Sequence, residues 1–307
     1  MKICVIGCGA VGSLFAAHLA KAGEAEVWAY DVWKEHIDAI GCNGLRLSGA
    51  ADFTAKLNAT SDPREVPRCD YGIVATKAIH TRNAIAQVAR AFDGDSAVCS
   101  VQNGLGNEEI IAEHVKYVIR GTTFPAGHPI APGHIGYDIK GDTWIGPFEP
   151  TNTAMEKVEE LASLIARAGM NTIALKDARG AQWTKLIFNA ATNPVGALTL
   201  LHHGAATRFG PTGELFEDLI AEGEAVTKKM GIELHGDPRQ LVQKGANAPG
   251  KHRASMLQDV LAKRPTEVDF MNGAIVHEGE RVGVPTPLNQ ALWQLIKGLE
   301  HSWSDPE

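Results

Sequence analysis

Lys2-Ile3-Cys4-Val5-Ile6-Gly7-Cys8-Gly9-Ala10-Val11-Gly12 decides the fold of this chain. Its first five residues carry no charge after Lys2 and include several β-branched side chains, the pattern of a parallel strand covered on both faces. Gly-x-Gly-x-x-Gly follows at once. Ser13 to Lys21 then carries Leu14, Phe15, Ala17 and Leu19, and reads as a helix that stops at Gly23. Strand, glycine turn and helix in that order are the context in which this motif binds a dinucleotide. Gly7 permits the tight turn, Gly9 lets backbone approach a pyrophosphate, and Gly12 lets the helix lie close on the strand. With Cys8, Ala10 and Val11 between them, these residues present backbone N–H groups at a helix N-terminus, where phosphate is favoured. Glu26 to Tyr30 reads as the second strand and Asp31 ends it, at the position that receives the adenosine ribose hydroxyls.

Outward from this start, strands and helices alternate. Lys34 to Ile40 reads as a short helix. Leu45 to Leu47 and Thr54 to Leu57 read as short strands, and Asp70 to Thr76 as a buried strand that ends at Lys77. A helix from Thr81 to Phe92 precedes a strand from Ser96 to Val101, which ends at Gln102-Asn103-Gly104. Further strands are expected at Val115 to Thr123 and Thr143 to Ile145, joined by a glycine- and proline-rich connection over Pro125 to His134. The pattern is a Rossmann-type doubly wound α/β sheet, in which ligands bind beyond the carboxyl ends of the strands. Lys77 and Asn103 stand at such ends, with a surface lysine and a turn asparagine as the plainer readings.

After a helix at Asn152 to Ala168 and a strand at Thr172 to Leu175, the periodicity becomes helical. Helices are expected near 179–200, 211–230, 238–246, 253–262, 265–283 and 286–301, punctuated by Gly204, Gly210, Gly231, Gly250 and the Pro285/Pro287 pair. The expected division is a dinucleotide-binding domain over 1–175 and an all-helical C-terminal domain over 176–307. The first helix of that second domain carries Lys185, Asn189 and Asn193, each four positions after the last, so all three lie on one stripe. Their neighbours Leu186, Ile187, Phe188, Ala190 and Ala191 are apolar, so the helix reads as buried on most sides. Polar groups there need partners. Neighbouring backbone is one candidate, and a substrate with a carbonyl and hydroxyls is the other.

Bulk composition fits an enzyme with a sizeable core. The chain has 307 residues, a hydrophobic fraction of 44% and a net charge of −7. No basic patch stands out, which argues against nucleic acid and anionic membrane as partners. Five cysteines show no Cys-x-x-Cys spacing, and Cys4, Cys69 and Cys99 fall in or beside strands as buried thiols. The twelve histidines include the adjacent pair His202-His203 but no metal-binding spacing, so no metal is expected. No apolar run approaches the roughly 20 residues that cross a bilayer. The chain opens on its first strand without a leader pattern, and a reducing cytoplasm is the expected compartment.

These residues resemble the ketopantoate reductase family. The resemblance takes in Gly7-x-Gly9-x-x-Gly12, Lys77, Gln102-Asn103-Gly104 and Lys185-x3-Asn189-x3-Asn193-Pro194. It continues through Ser255-Met256-Leu257-Gln258-Asp259, Thr266-Glu267-Val268-Asp269-Phe270-Met271-Asn272-Gly273 and Gly283-Val284-Pro285-Thr286-Pro287. The family implies a substrate cleft between the two domains, with Lys185 and Glu267 as catalytic groups. It implies that Asn189 and Asn193 contact substrate, that Ser255 holds the carboxylate end, and that Asn103 and Lys77 lie near nicotinamide and substrate. The chemistry agrees. A 2-oxo acid that accepts a hydride needs a proton for its oxygen, and a lysine ammonium can stabilise the developing charge and deliver that proton. Without the resemblance, Glu267 would read as an exposed acid at a helix N-terminus.

Two positions depart from the family pattern. His252 stands where the family often has an asparagine facing substrate, which puts pantoate-like specificity in question. Asp31 is an acid where residues tolerant of a 2′-phosphate are common, which favours NAD over NADP. Lys34 and Arg46 could offset that preference by folding over a phosphate. The expected protein is thus an NAD(P)-dependent reductase of a small-molecule 2-oxo acid, 2-dehydropantoate first. The alternative is an NAD-dependent D-2-hydroxy acid dehydrogenase for other branched or aromatic substrates. A 3-hydroxy acid dehydrogenase and a non-catalytic dinucleotide sensor are more distant readings, and the sensor has no use for the lysine–asparagine–glutamate set. The sequence leaves oligomeric state open, a homodimer included.

Overall fold

A computed structural model describes residues 1–247 and 253–304. The chain divides into two compact units. The first comprises Met1–Gln102 and Asn107–Ala178, the second Asn103–Gly106 and Arg179–Glu307.

The first unit begins with β1 (Lys2–Ile6), α1 (Ala10–Ala22), β2 (Glu26–Tyr30) and α2 (Lys34–Asn43). Three short strands follow: β3 (Leu45–Gly49), β4 (Phe53–Ala55) and β5 (Asn58–Thr60). Then come β6 (Tyr71–Val74), α3 (Thr81–Val88), β7 (Ala97–Ser100), α4 (Asn107–Ala112) and β8 (Tyr117–Thr123). The unit closes with β9 (Ala126–Ala131), β10 (His134–Ile139), β11 (Thr143–Pro147), α5 (Met155–Arg167) and β12 (Thr172–Ala174). Eight strands form the main sheet in the order β12-β11-β8-β7-β6-β1-β2-β5. β1 pairs in parallel with β2 on one side and β6 on the other, so strand order reverses at β1 and the glycine loop leaves from the switch point. Only β8 and β11 run antiparallel there.

Alternation along β1 shows why its sequence is apolar throughout. Ile3 and Val5 enter one hydrophobic cluster with Leu14 and Phe15 of α1, while Cys4 and Ile6 enter another with Val74, Ile85 and Val98. Both faces are covered, so neither side of the strand tolerates charge.

The stretch read as a plain connection over Pro125 to His134 is largely strand. β9 and β10 form an antiparallel hairpin that joins β3 and β4 in a second sheet of order β4-β3-β10-β9. Pro129 misled the reading. β9 lies at the edge of its sheet, where a missing N–H costs no ladder bond. Gly133 supplies the turn at φ +74°.

The second unit is helical: α6 (Arg179–Thr199), α7 (His203–Arg208), α8 (Gly210–Met230), α9 (Pro238–Asn247), α10 (Ser255–Leu261), α11 (Asn272–Val282) and α12 (Pro287–Ser302). Its core gathers Trp183, Leu186, Ile187, Phe216, Ile220, Ile275 and Ile296. Two readings need correction. Gly204 punctuates nothing, since it lies inside α7, where a Cβ would come 2.9 Å from the Ala246 carbonyl. The single helix expected over 265–283 is broken. A 3₁₀ turn at Val268–Phe270 precedes α11, and Met271 between them has φ −108° and ψ −93°. The Phe270 carbonyl accepts the Leu105 N–H at 3.0 Å, a tertiary use that a continuous helix would forbid.

No described helix is long and apolar enough to cross a membrane. Among the described residues no group of His, Cys, Asp and Glu is arranged to hold a metal ion. Cys4, Cys8, Cys69 and Cys99 are buried free thiols, and Cys42 is exposed.

Candidate active site

Within the first unit, the loop after β1 is shaped by three glycines in three ways. Gly7 has φ +88°, and a Cβ there would lie 2.5 Å from Thr76 Cγ2. Gly12 packs so closely that a Cβ would fall 1.9 Å from the Gly7 carbonyl. At Gly9 a Cβ would meet nothing within 4 Å. Gly9 thus faces open space at the N-terminus of α1, where no side chain caps the helix. That is a cradle for a pyrophosphate, and the residues present fit the group.

Asp31 closes the other side of the loop. Its Oδ2 accepts the Cys8 N–H at 2.6 Å and its Oδ1 accepts the Trp33 N–H at 2.8 Å. Each oxygen retains a lone pair for a ribose hydroxyl. The two cations that could soften this carboxylate's effect on a phosphate are engaged elsewhere. Lys34 Nζ pairs with Asp38 at 3.0 Å, and Arg46 Nη1 with Asp52 at 2.8 Å.

The sequence reading missed the support beneath the loop. Ser13 Oγ donates to the Cys8 carbonyl at 2.8 Å and lies 3.2 Å from His36 Nε2. His36 is wholly buried, and its Nδ1 accepts the Gly133 N–H at 3.0 Å. Nδ1 is therefore unprotonated and Nε2 carries the hydrogen toward Ser13. Burial lowers the His36 pKa against the Asp31 charge, which keeps the ring neutral. A second prop comes from Gln102, whose Nε2 donates to the Thr76 carbonyl at 3.0 Å and to Thr81 Oγ1 at 2.7 Å. For Ser13 and His36 the signal in the sequence is a polar residue at a buried helical position, while Gln102 reads only as part of a strand end. Lys77 caps the N-terminal side of a 3₁₀ turn at Ala78–His80 and is half-buried.

Within the second unit, α6 carries the stripe. Asn189 is 8% exposed and Asn193 4%. Among the described residues, Asn193 Nδ2 reaches only Met271 Sδ, at 3.9 Å. The Asn189 carboxamide has no hydrogen-bond partner among the described residues. Buried polar groups are normally paired, so two under-partnered carboxamides point to an outside ligand. Burial lowers the Lys185 ammonium to about 8, although the nearby Glu267 charge acts in the opposite direction.

Glu267 is 7% exposed, which overturns the reading of an exposed acid. Tertiary contacts hold its segment. The Thr266 N–H and hydroxyl both donate to Glu300 Oε1 at 2.7 Å, and the Phe270 N–H donates to the Glu267 carbonyl at 3.0 Å. Asn103 belongs to this unit as well: its Nδ2 donates to Glu267 Oε2 at 3.5 Å. The Gly104 carbonyl accepts from Gln182 Nε2 at 3.2 Å, and a Cβ at Gly104 would lie 2.3 Å from the Phe270 carbonyl. The Gln-Asn-Gly stretch read as a strand end is thus split, with Gln102 in the first unit and Asn103 and Gly104 beside α6 and Phe270 in the second. Ser255 is exposed as the first residue of α10. His252 lies outside the described residues.

Both units match known proteins. The model for "Ketopantoate reductase PanE/ApbA" matches residues 3–150, and that for its C-terminal part matches residues 177–300. The chain belongs to the ketopantoate reductase family. The 2-dehydropantoate 2-reductase of Archaeoglobus fulgidus is 34% identical over 303 residues, covering 97% of this chain and 98% of that one. The crystal structure of a PanE/ApbA family ketopantoate reductase from Ralstonia eutropha JMP134 superposes with a TM-score of 0.88 at 30% identity, covering 99% of this chain and all (100%) of the other. A ternary structure of D-mandelate dehydrogenase with NADH and anilino(oxo)acetate superposes with a TM-score of 0.89 at 26% identity, covering 98% and 99%.

Proposed function

We propose that this chain is an NAD(P)-dependent oxidoreductase that reduces the 2-oxo group of 2-dehydropantoate to give pantoate. The observation that carries the reading is Lys185. It is a lysine brought to about 8 by burial, beside Glu267, on a stripe with two under-partnered carboxamides. A general acid works best with a pKa near the operating pH. Lys185 meets that condition while remaining mostly an ammonium at neutral pH.

A bound nicotinamide dinucleotide supplies the hydride. The chain's own residues do the rest. Backbone N–H groups from Gly9 to Gly12 take the pyrophosphate, and Asp31 accepts from the ribose hydroxyls. The Lys185 Nζ–H donates to the carbonyl oxygen, stabilises its developing negative charge and gives up a proton. Glu267 keeps Lys185 charged before that transfer and, with Asn103, accepts or donates hydrogen bonds at the substrate. Asn189 and Asn193 orient the carboxylate and hydroxyl, and Ser255 takes the carboxylate end. Lys77, just past the end of β6, would stand toward the nicotinamide.

NAD is the preferred cofactor in this reading. Asp31 would meet a 2′-phosphate as a like charge, and Lys34 and Arg46 are each held by another carboxylate. The mandelate dehydrogenase likeness and its NADH favour a second reading, a D-2-hydroxy acid dehydrogenase for aromatic substrates. Initial rates at 340 nm with NADH and NADPH, against 2-dehydropantoate and benzoylformate, decide between them. The first reading expects the highest kcat/KM with 2-dehydropantoate and NADH. A higher value with benzoylformate transfers the assignment to the second, and no turnover of either overturns both.

A further inference from the structure

The helix that carries the stripe loses one backbone hydrogen bond to its own sequence. Pro194 lies inside α6, so position 194 has no N–H to give the Ala190 carbonyl one turn earlier, and its ring crowds that oxygen. Ala190 stands between Asn189 and Asn193 and is 1% exposed. A buried carbonyl deprived of its helical donor needs another.

The donor comes from α11. Asn272 Nδ2 donates to the Ala190 carbonyl at 2.9 Å. The same nitrogen gives its second hydrogen to Asn289 Oδ1 of α12 at 3.0 Å. Asn289 Nδ2 donates in turn to Glu222 Oε2 of α8 at 2.8 Å. Glu222 also accepts the Leu288 and Asn289 N–H groups, at 2.8 and 2.9 Å, in the first turn of α12. Asn272 and Asn289 are wholly buried. One chain of hydrogen bonds therefore runs through four helices and ends on the carbonyl that Pro194 frees. The arrangement is a poor device for stability alone, because Asn272 Oδ1 remains a buried acceptor with no partner among the described residues. A proline-free α6 would meet the Ala190 carbonyl with its own backbone and would need no side-chain donor there. The segment just before Asn272 also touches the stripe, through Met271 Sδ and Asn193.

We propose that Asn272 is a positioning residue for the substrate. By taking the Ala190 carbonyl it sets the course of α6 past Pro194, and with it the direction of Asn193 relative to Lys185 and Asn189. Asn289 and Glu222 hold Asn272 in the orientation that does this. The inference rests on the reading of the stripe as substrate-binding.

Asn272→Leu, of similar size but without a donor, tests it in two backgrounds. In the Pro194 protein, assayed well below its melting temperature, KM for 2-dehydropantoate should rise on the order of tenfold, since small misplacements of orienting groups are costly. The Kd for NADH, read by quenching of protein fluorescence, should stay within about twofold because the glycine loop is untouched. In Pro194→Ala the helix supplies its own donor to Ala190, so the same substitution should change KM by about threefold or less relative to Pro194→Ala alone. Wild-type kinetics in Asn272→Leu, whatever its melting temperature, would overturn the proposal. An equal KM penalty in both backgrounds would do the same. If Asn272→Leu does not fold, Asn272→Ser is measured in its place. Variants that fold only with Pro194→Ala, or in neither background, show a purely structural role and refute the proposal. Failure of the stripe reading itself is seen separately, as unchanged kinetics in Lys185→Ala.

Discussion

In the proposed function the glycine loop after β1 and the lysine stripe of α6 both receive polar groups of a ligand, but they are built in opposite ways. The loop would recognise its ligand with backbone, and its residues are chosen for what they lack. Gly7 and Gly12 exclude side chains that would strike Thr76 and the Gly7 carbonyl, and Gly9 leaves a cradle open. The stripe would recognise with side chains, and the helix that presents them is set by residues far away in the chain. Glu267 acts on Lys185, Met271 touches Asn193, and Asn272 completes the helix between Asn189 and Asn193. A backbone site is therefore robust to its surroundings but intolerant of Cβ atoms. A side-chain site tolerates local substitution better but fails when a remote partner moves.

The sharpest way to break this comparison is Lys185→Ala. Loss of a general acid should cut kcat by ~10²–10⁴-fold. The Kd for NADH should not change, because that surface belongs to the loop. Single-turnover kinetics beside a binding titration would show the split, and a parallel loss of both would mean that the two surfaces are not separable.

Asp31 tests the loop side. Asp31→Asn should move the NADPH-to-NADH ratio of kcat/KM upward by on the order of 10- to 1,000-fold, from like-charge repulsion of ~1–4 kcal/mol at 4 Å. The carboxylate accepts two backbone N–H groups, and an amide can accept only one of them well. Overall cofactor affinity should therefore fall even as the preference shifts. A ratio that stays put would show that the carboxylate only supports the loop.

The pH profile probes the tuning of the stripe. Burial depresses the Lys185 pKa to about 8, so the ammonium is present below that value and is lost as pH rises through it. The kcat for reduction should fall on the alkaline side of about 8, while the reverse oxidation gains. Glu267→Gln removes the charge that raises the pKa, so the falling limb should move to lower pH and kcat at neutral pH should drop. An unmoved limb would place Glu267 outside the coupling.

The smallest effect is expected at Ser13. Ser13→Ala removes the hydroxyl between His36 and the Cys8 carbonyl. At ~1 kcal/mol for one hydrogen bond, NADH should bind about fivefold more weakly. Substrate KM at saturating cofactor should not change. A loss in melting temperature without a change in Kd would make Ser13 a core residue only.

What was legible in the sequence follows the same division. The parallel strand, the glycine loop, α1 and the acid after β2 could be read directly, because φ freedom, side-chain volume and hydrophobic periodicity are local properties. The helical spacing of Lys185, Asn189 and Asn193 was legible for the same reason. The hairpin of β9 and β10 was not, since Pro129 is acceptable only because β9 turned out to be an edge strand. Nor was the break before α11, because Phe270 leaves its helix to accept a hydrogen bond from Leu105. The sequence by itself determined which backbone conformations were open to the chain and which side chains could do acid chemistry. Tertiary structure alone decided which of those side chains were desolvated and paired. Burial and charge coupling act through space, and no local pattern records what will lie a few ångströms away.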